Sequence, residues 1–166
     1  MPGYGSCEAQ EGSFLLDIYV DADACPVKEE VYRVARRYQL KVILVANSWM
    51  RTLDAGWLRL VVIESKELNA VDDWIAEHIG AGDIAITGDI PLASRCLENG
   101  ARAIGLTGRP FTPDNIGEAL ATRQLLSQLR DQGIMMGGPA PFAKRDRSRF
   151  LQALDETVQA IKRGSP

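Results

Sequence analysis

Short apolar runs alternate with amphipathic segments along most of this chain. Five runs have the length and the β-branched content of buried strands. They lie at residues 15–20, 41–46, 59–63, 84–87 and 102–106. Between them, apolar residues recur at helical spacing, as in the segment from Pro26 to Tyr38. Because strands that alternate with helices form parallel sheets with crossover helices, the pattern predicts an α/β fold. We expect three layers, with helices on both faces of a mostly parallel five-stranded sheet.

Four further helices are expected after the first. They are placed from Asn69 to about residue 79, from 91 to 98, from 112 to about 130, and from about 147 to 162. Asn69 is a candidate N-cap, Gly100 suits a helix C-terminus, and Pro113 suits a first helical turn. Residues 133–143 contain glycines and prolines without periodicity, so we expect a loop there.

The composition is that of an ordinary globular protein. Of the 166 residues, 46% are hydrophobic and 25% are charged, which suits one core and excludes a wholly disordered chain. Residues 1–13 contain Gly and Ser without a signal-peptide pattern. We therefore expect a flexible N-terminal segment at 1–13 and a single domain at 14–166. The sequence does not specify an oligomeric state.

Charge, hydropathy and cysteine usage narrow the functional classes. The formal net charge of −3 gives no overall basic field for nucleic acid, although a local basic patch remains compatible with it. The apolar runs are too short to span a bilayer, so no membrane association is expected. Three widely spaced cysteines suit neither a disulfide framework nor a metal knuckle. The cysteines are therefore expected to be free thiols in a reducing compartment, which makes a cytoplasmic location the expectation for this protein.

Aspartates follow the predicted strands where a parallel sheet usually binds its ligand. Asp21 and Asp23 end the first strand, Asp89 follows the fourth, and Asp72 and Asp73 begin the helix after the third. Ligands of open parallel sheets bind beyond the carboxyl ends of the strands, where the strand order reverses. In an extended chain, residues two apart share a side, so Asp21 and Asp23 are expected to converge.

An oxygen-only site of this kind favours Mg²⁺ or Mn²⁺, because clustered carboxylates repel one another unless they are protonated or bridged by a cation. The expected metal ligands are Asp21, Asp23 and Asp89. Such a metal activates water and stabilises the charge of phosphoryl transfer, so phosphodiester hydrolysis suits the site best.

Each of these acids also has a purely structural interpretation. Asp21 and Asp23 precede a helix that starts near Pro26, and Asp89 precedes another, so all three are candidate caps. Asp72 and Asp73 lie in a first helical turn, where the helix dipole favours acidic residues. At the level of sequence both interpretations stay open.

Three motifs of the chain resemble a known family. They are Asp-Ala-Asp-Ala-Cys-Pro-Val-Lys at 21–28, Ala-Val-Asp-Asp-Trp-Ile at 70–75, and Thr-Gly-Asp-Ile-Pro-Leu-Ala at 87–93. These runs resemble the signatures of the YaiI/YqxD family of uncharacterised bacterial proteins, and the resemblance covers nearly everything after residue 13.

That family is in turn similar to PIN-like domains, which include metal-dependent ribonucleases. The resemblance implies a PIN-like fold in which Asp21, Asp23, Asp89 and either Asp72 or Asp73 hold divalent metal. Many PIN-like nucleases have a further acid two residues after the fourth-strand aspartate, whereas this chain has Pro91 there. The departure implies one metal instead of two, or a loss of activity.

Five polar residues are candidates for contact with a phosphodiester substrate. They are Asn47, Arg95, Arg109, Lys144 and Arg145. Asn47 follows the second strand and has an equally simple role as a turn residue. The basic run at 144–149 has the alternative of a solvated helix entry. Arg109, between a glycine and a proline, is the best substrate contact of the five.

Three functional hypotheses follow from these residues. The first is a metal-dependent nuclease that acts on RNA in preference to DNA. The second is a phosphatase resembling the haloacid dehalogenase superfamily, in which Asp21 is a covalent nucleophile and Asp23 is the general acid and base. Against it, Ala24-Cys25 stands where Gly-Thr usually follows that motif. The third is a non-catalytic module that binds RNA or metal.

Overall fold

A computed structural model describes residues 16–134 and 141–164. The strands in these ranges are β1 (Asp17–Asp21), β2 (Lys41–Ala46), β3 (Leu58–Val62), β4 (Ile84–Ile86), β5 (Arg102–Ile104) and β6 (Pro110–Phe111). The helices are α1 (Lys28–Tyr38), α2 (Ala70–His78), α3 (Ile90–Glu98), α4 (Ile116–Asp131) and α5 (Lys144–Lys162). A single 3-10 turn at Ala22–Ala24 directly follows β1. The α/β, PIN-like class expected from the sequence is confirmed.

The sheet has the strand order β3-β2-β1-β4-β5-β6. All pairings are parallel except that between β5 and β6, which is antiparallel. The sequence predicts five strands, and β6 is the sixth. It was missed because two residues, one of them Pro110, carry no periodic signal. Strand order reverses between β1 and β4, so the crevice expected between the first and fourth strands is present.

Two apolar layers enclose the sheet, because alternate residues of each strand point to opposite faces. The first face packs against α1 and α5 through a cluster that includes Ile18, Leu44, Ile86, Phe150 and Leu154. The second face packs against α2, α3 and α4 through a cluster that includes Tyr19, Val45, Ile75, Leu92 and Ala119. Helices therefore cover both faces, as the three-layer prediction requires.

Several element boundaries differ from the sequence-based expectation. The helix expected from Thr112 begins at Ile116, because Thr112 and Asn115 first form a turn closed by two side-chain hydrogen bonds. The last helix begins at Lys144 instead of about residue 147. Asn69 occupies the N-cap of α2, but its side chain makes no capping bond. Gly100 adopts a positive φ of 84° after α3, as expected of a C-terminal glycine.

Parts of two predictions lie outside the described residues. These are the N-terminal segment expected at 1–13 and residues 135–140 of the loop expected at 133–143. Within the described ranges, no helix combines the length and the apolar character needed to cross a membrane.

Candidate active site

Asp21 is the last residue of β1 and lies at the point where strand order reverses. It follows Tyr19 at a spacing of two, so its side chain shares the face covered by α2 and α3. Thr87, just beyond β4, donates its hydroxyl to Asp21 Oδ2 over 3.1 Å. The same oxygen, Thr87 Oγ1, accepts the backbone N–H of Asp89 over 2.9 Å. One hydroxyl therefore links the acids that follow the two strands.

Thr87 was not among the residues singled out from the sequence. It is only 1% exposed and is the one buried polar residue of the described chain. A buried hydroxyl is tolerated when it both donates and accepts a hydrogen bond, and the hydroxyl of Thr87 does both. The available signal was a threonine that ends an otherwise apolar strand and is followed by Gly88 and Asp89.

Asp72 projects from the first turn of α2 toward the same point. The pKa of Asp72 is raised to about 6, first by burial and then by the charges of Asp89 and Asp21. A side-chain hydrogen bond with Asp89 also raises it, since the proton then lies on Asp72, whereas Arg95 acts in the opposite direction. Asp72 is therefore the member of the Asp72–Asp73 pair that joins the site.

Asp73 is held by a different partner. Arg95 Nη1 lies 2.7 Å from Asp73 Oδ1, and the two side chains are 43% and 46% exposed. A pair this exposed contributes about 0–1 kcal/mol to stability. Arg95, a candidate substrate contact, is thus already engaged by a surface carboxylate.

Asp21 itself is partly buried at the centre of this group. Burial raises the pKa of Asp21 above its ordinary value, the hydrogen bond from Thr87 lowers it, and the charges of Asp89 and Asp23 raise it again. Asp21, Asp72 and Asp89 act on one another through charge or hydrogen bonding, and we call these three residues the acidic cluster; the charge of Asp23 also acts on Asp21 from outside it. Two of its three members hold protons more tightly than an isolated carboxyl group does.

Asp23 takes a different direction from the one expected. The chain leaves the extended conformation at Ala22–Ala24, so the alternation that would have placed Asp23 beside Asp21 does not apply. Both carboxylate oxygens of Asp23 instead accept the backbone N–H of Asn47, over 3.2 and 3.1 Å. Asp23 thereby joins the end of β1 to the end of β2. A phosphatase would need Asp23 as a free proton donor, which this bond disfavours.

Asp89 has the capping role that the structural interpretation assigned to it. It is the N-cap of α3, and Asp89 Oδ1 accepts the backbone N–H of Leu92 over 3.0 Å. Pro91 lies in the first turn, where its missing N–H costs nothing. A carboxylate has two oxygens, so this bond leaves the second oxygen of Asp89 for the acidic cluster.

The donor set suits a hydrated cation better than an enclosed one. Among residues 16–134 and 141–164, no three histidine, cysteine, aspartate or glutamate side chains are grouped as ligands of one ion. Mg²⁺ usually keeps several waters and binds through one or two carboxylates together with substrate phosphate. The acidic cluster supplies such carboxylates, since Asp72 and Asp89 share a hydrogen bond beside Asp21.

No described cysteine or histidine provides a nucleophile at this edge. Cys25 is buried, and burial raises the pKa of its thiol. Burial likewise raises the pKa of Cys96 to about 12. His78 stacks on Trp74 at 3.7 Å between ring centroids, and its Nδ1 lies 2.8 Å from the Trp74 carbonyl oxygen. The carboxylates of the acidic cluster are therefore the reactive side chains at this edge of the described chain.

The remaining substrate candidates are all exposed. Asn47 is exposed and interacts with Asp23 through its backbone. Arg109 is exposed, and its guanidinium lies 5.7 Å from the ring centroid of Phe111. Lys144 and Arg145 are exposed in the first turn of α5, and no contact joins them to the acidic cluster.

Comparison with known proteins gives a consistent picture. The family model described as "Uncharacterized BCR, YaiI/YqxD family" matches residues 19–160, which include all the candidate acids. A UPF0178 protein of Rhodospirillum centenum is 55% identical over 154 residues, covering 90% of this chain and 99% of its own. One from Rhodospirillum rubrum is 54% identical over 151 residues, covering 90% and 99%. One from Parvibaculum lavamentivorans is 54% identical over 152 residues, covering 92% and 99%. No solved structure matches the chain.

Proposed function

The chain belongs to the YaiI/YqxD family, and we propose that it hydrolyses phosphodiester bonds in RNA with the help of Mg²⁺ or Mn²⁺. The observation that carries the proposal is the acidic cluster at the strand-order reversal. Burial, together with the charges of Asp89 and Asp21 from the β4–α3 connection and β1, raises the pKa of Asp72 on α2 to about 6 there. Perturbed carboxyl groups in a crevice are typical of functional sites.

The raised pKa values favour a cation over a merely structural role. Like charges held together destabilise the folded state unless a proton or a metal neutralises them. Capping accounts for Asp89, but it accounts for neither Asp21 nor Asp72, because neither carboxylate bonds to a helix N–H. Above about pH 6, where Asp72 loses its proton, a bound divalent cation would neutralise the repulsion between the carboxylates.

Each residue of the site has a distinct part in this proposal. Asp21, together with either Asp72 or the free oxygen of Asp89, would hold the cation. When bound, the metal supplies an activated water and stabilises the charge that develops on the phosphoryl group. Thr87 fixes the orientation of the Asp21 carboxylate through its hydroxyl. Asp23 positions the loop at Asn47, and that loop borders the crevice.

A non-catalytic module that binds metal or RNA is the second candidate. Two observations favour it, namely the use of Asp23 and Asp89 in backbone hydrogen bonds and the presence of Pro91 instead of a further acid. In that case the acidic cluster would bind a cation and leave the phosphodiester intact.

The test is cleavage of labelled single-stranded RNA by the purified protein in Mn²⁺, compared with the Asp21→Asn variant. We expect cleavage by the wild type, and its loss in Asp21→Asn because that change removes a charge from the cluster. Asp73→Asn is the matched control, since Asp73 pairs with Arg95 outside the cluster, and it should cleave normally. Cleavage that survives Asp21→Asn refutes the catalytic proposal. Metal binding without any cleavage favours the second candidate.

A further inference from the structure

An open cleft of about 500 Å³ adjoins the acidic cluster. Gly88 and Ile90, the two neighbours of Asp89, form one wall, and α4 forms the other. A space of this volume suits a ligand of drug-like size, or about one or two nucleotides. Whatever occupies the cleft lies next to the carboxylates proposed to hold the metal.

The cleft is basic in a chain whose formal net charge is −3. Three arginines line it, Arg109, Arg123 and Arg130, together with one acid, Glu118. Within the described ranges, none of the three guanidinium groups forms an ion pair with a carboxylate. Arginines without an acidic partner that converge on a concave surface are typical of phosphate recognition.

The spacing along α4 suits a linear polyanion. Arg123 and Arg130 are seven residues apart, so they share one helix face and lie about 10 Å apart along the axis. Leu126 lies between them on the same side and also lines the cleft. Ala119 is the only residue of α4 that is fully buried. Ala119 lies at the N-terminal end of this same face and packs into the core, whereas Arg123, Leu126 and Arg130 beyond it are exposed. The part of this face from Arg123 onward is therefore open to a ligand.

We propose that Arg109, Arg123 and Arg130 bind consecutive phosphates of a single-stranded RNA beside the bond to be cleaved. The inference deepens the proposed function and rests on it for the location of the cleaved bond. It adds Arg123 and Arg130 as substrate-binding residues. Because backbone contacts read charge and not base identity, binding in this cleft should be largely independent of sequence.

The experiment measures binding of a short fluorescein-labelled single-stranded RNA by anisotropy in EDTA, where no cleavage occurs. The variant is Arg123→Ala with Arg130→Ala. Its control is Arg33→Ala with Arg163→Ala, which removes the same charge from exposed arginines on α1 and at the end of α5. Thermal melting of both variants establishes that they fold.

Loss of two phosphate contacts should reduce the slope of log K against log salt by about 1.4, or about 0.7 per contact for single strands. At about 0.1 M salt that corresponds to roughly 25-fold weaker binding. The control should keep the wild-type slope. An unchanged slope in the cleft variant, an equal loss in the control, or no RNA binding by the wild type overturns the proposal.

Cleavage in Mn²⁺ is measured in parallel to separate this proposal from the proposed function. If the cleft variant loses binding while the wild type cleaves nothing, the cleft assignment stands and the nuclease proposal fails. If the wild type cleaves and the cleft variant binds and cleaves normally, the nuclease proposal stands and the cleft assignment fails.

Discussion

Replacement of Asp72 by Asn is expected to stabilise the folded protein above neutral pH. The carboxyl group of Asp72 is partly buried beside Asp89 and Asp21, and its pKa is raised from 3.8 to about 6. An acid with a raised pKa binds protons more tightly in the folded state than in the unfolded chain. Folding stability is therefore lost as pH rises from about 4 to about 6, and the loss persists at higher pH.

The magnitude follows from the size of the pKa shift. A shift from 3.8 to about 6 corresponds to at most about 3 kcal/mol, at about 1.4 kcal/mol per pKa unit. Asp72 is partly exposed, so screening by solvent reduces this to about 1 kcal/mol. For a chain of this length, about 1 kcal/mol raises Tm by roughly 2–4 °C.

The assay is thermal unfolding in EDTA at about pH 8 and about pH 4. The raised pKa of Asp72 predicts a difference in stability between wild type and variant only at about pH 8, where Asp72 is ionised. Asp73→Asn is the matched control, since it makes the same chemical change one residue away and breaks the exposed pair with Arg95. We expect Asp72→Asn to raise Tm only at the higher pH, and Asp73→Asn to leave it unchanged or slightly lower. If Asp72→Asn lowers Tm at the higher pH, or if both variants respond alike, the argument for a repulsive cluster is wrong.

Two further substitutions test how the site is supported. Thr87→Val should lower the free energy of unfolding by about 1–2 kcal/mol, because it leaves the partly buried N–H of Asp89 without an acceptor. Thr87→Ser keeps the hydroxyl and should lose less stability than Thr87→Val. If denaturant unfolding shows an equal loss of unfolding free energy in both variants, the hydroxyl does not support the site. Gly108→Ala should cost about 2–4 kcal/mol, because Gly108 has a φ of 91° and an added Cβ would lie 2.7 Å from the Arg149 carbonyl. Gly133→Ala, with a φ of 79° and no neighbour within 4 Å, should cost only about 1–2 kcal/mol. Equal Tm losses in the two glycine variants would refute the role of the close contact with α5.

The meeting of Asp21 and Asp89 was predictable from the sequence. Both follow apolar runs, and the alternation of strands with helices places such runs in a parallel sheet. The rule that ligands bind where strand order reverses then selects the first and fourth strands. The structure has this order, and Thr87 links the two ends by hydrogen bonds.

The position of Asp72 in the site was also predictable from the sequence, although Asp72 and Asp73 were both named as candidates. At about 100° per residue, Asp72 lies within the arc of α2 spanned by Val71, Ile75 and Ala76, which are buried. Asp73 falls outside that arc, in agreement with its exposed pair. A helical projection would therefore have selected Asp72.

Two features depend on geometry that a sequence pattern does not encode. Asp23 was expected beside Asp21, but a 3-10 turn redirects it to Asn47. This turn begins where β1 ends, and the alternation of apolar residues along the sequence does not show at which residue the strand stops. The basic cleft was missed because α4 has little apolar pattern to show which of its sides faces the protein, so Arg123 and Arg130 gave no signal.

The proposed function requires that Asp21 shares a divalent cation with Asp72 or Asp89. A crystal structure with Mn²⁺, in which anomalous scattering locates the metal, tests it most directly. The account predicts a manganese peak in contact with Asp21 and with Asp72 or Asp89, and its loss in Asp21→Asn. A wild-type crystal with no peak at these carboxylates would contradict it.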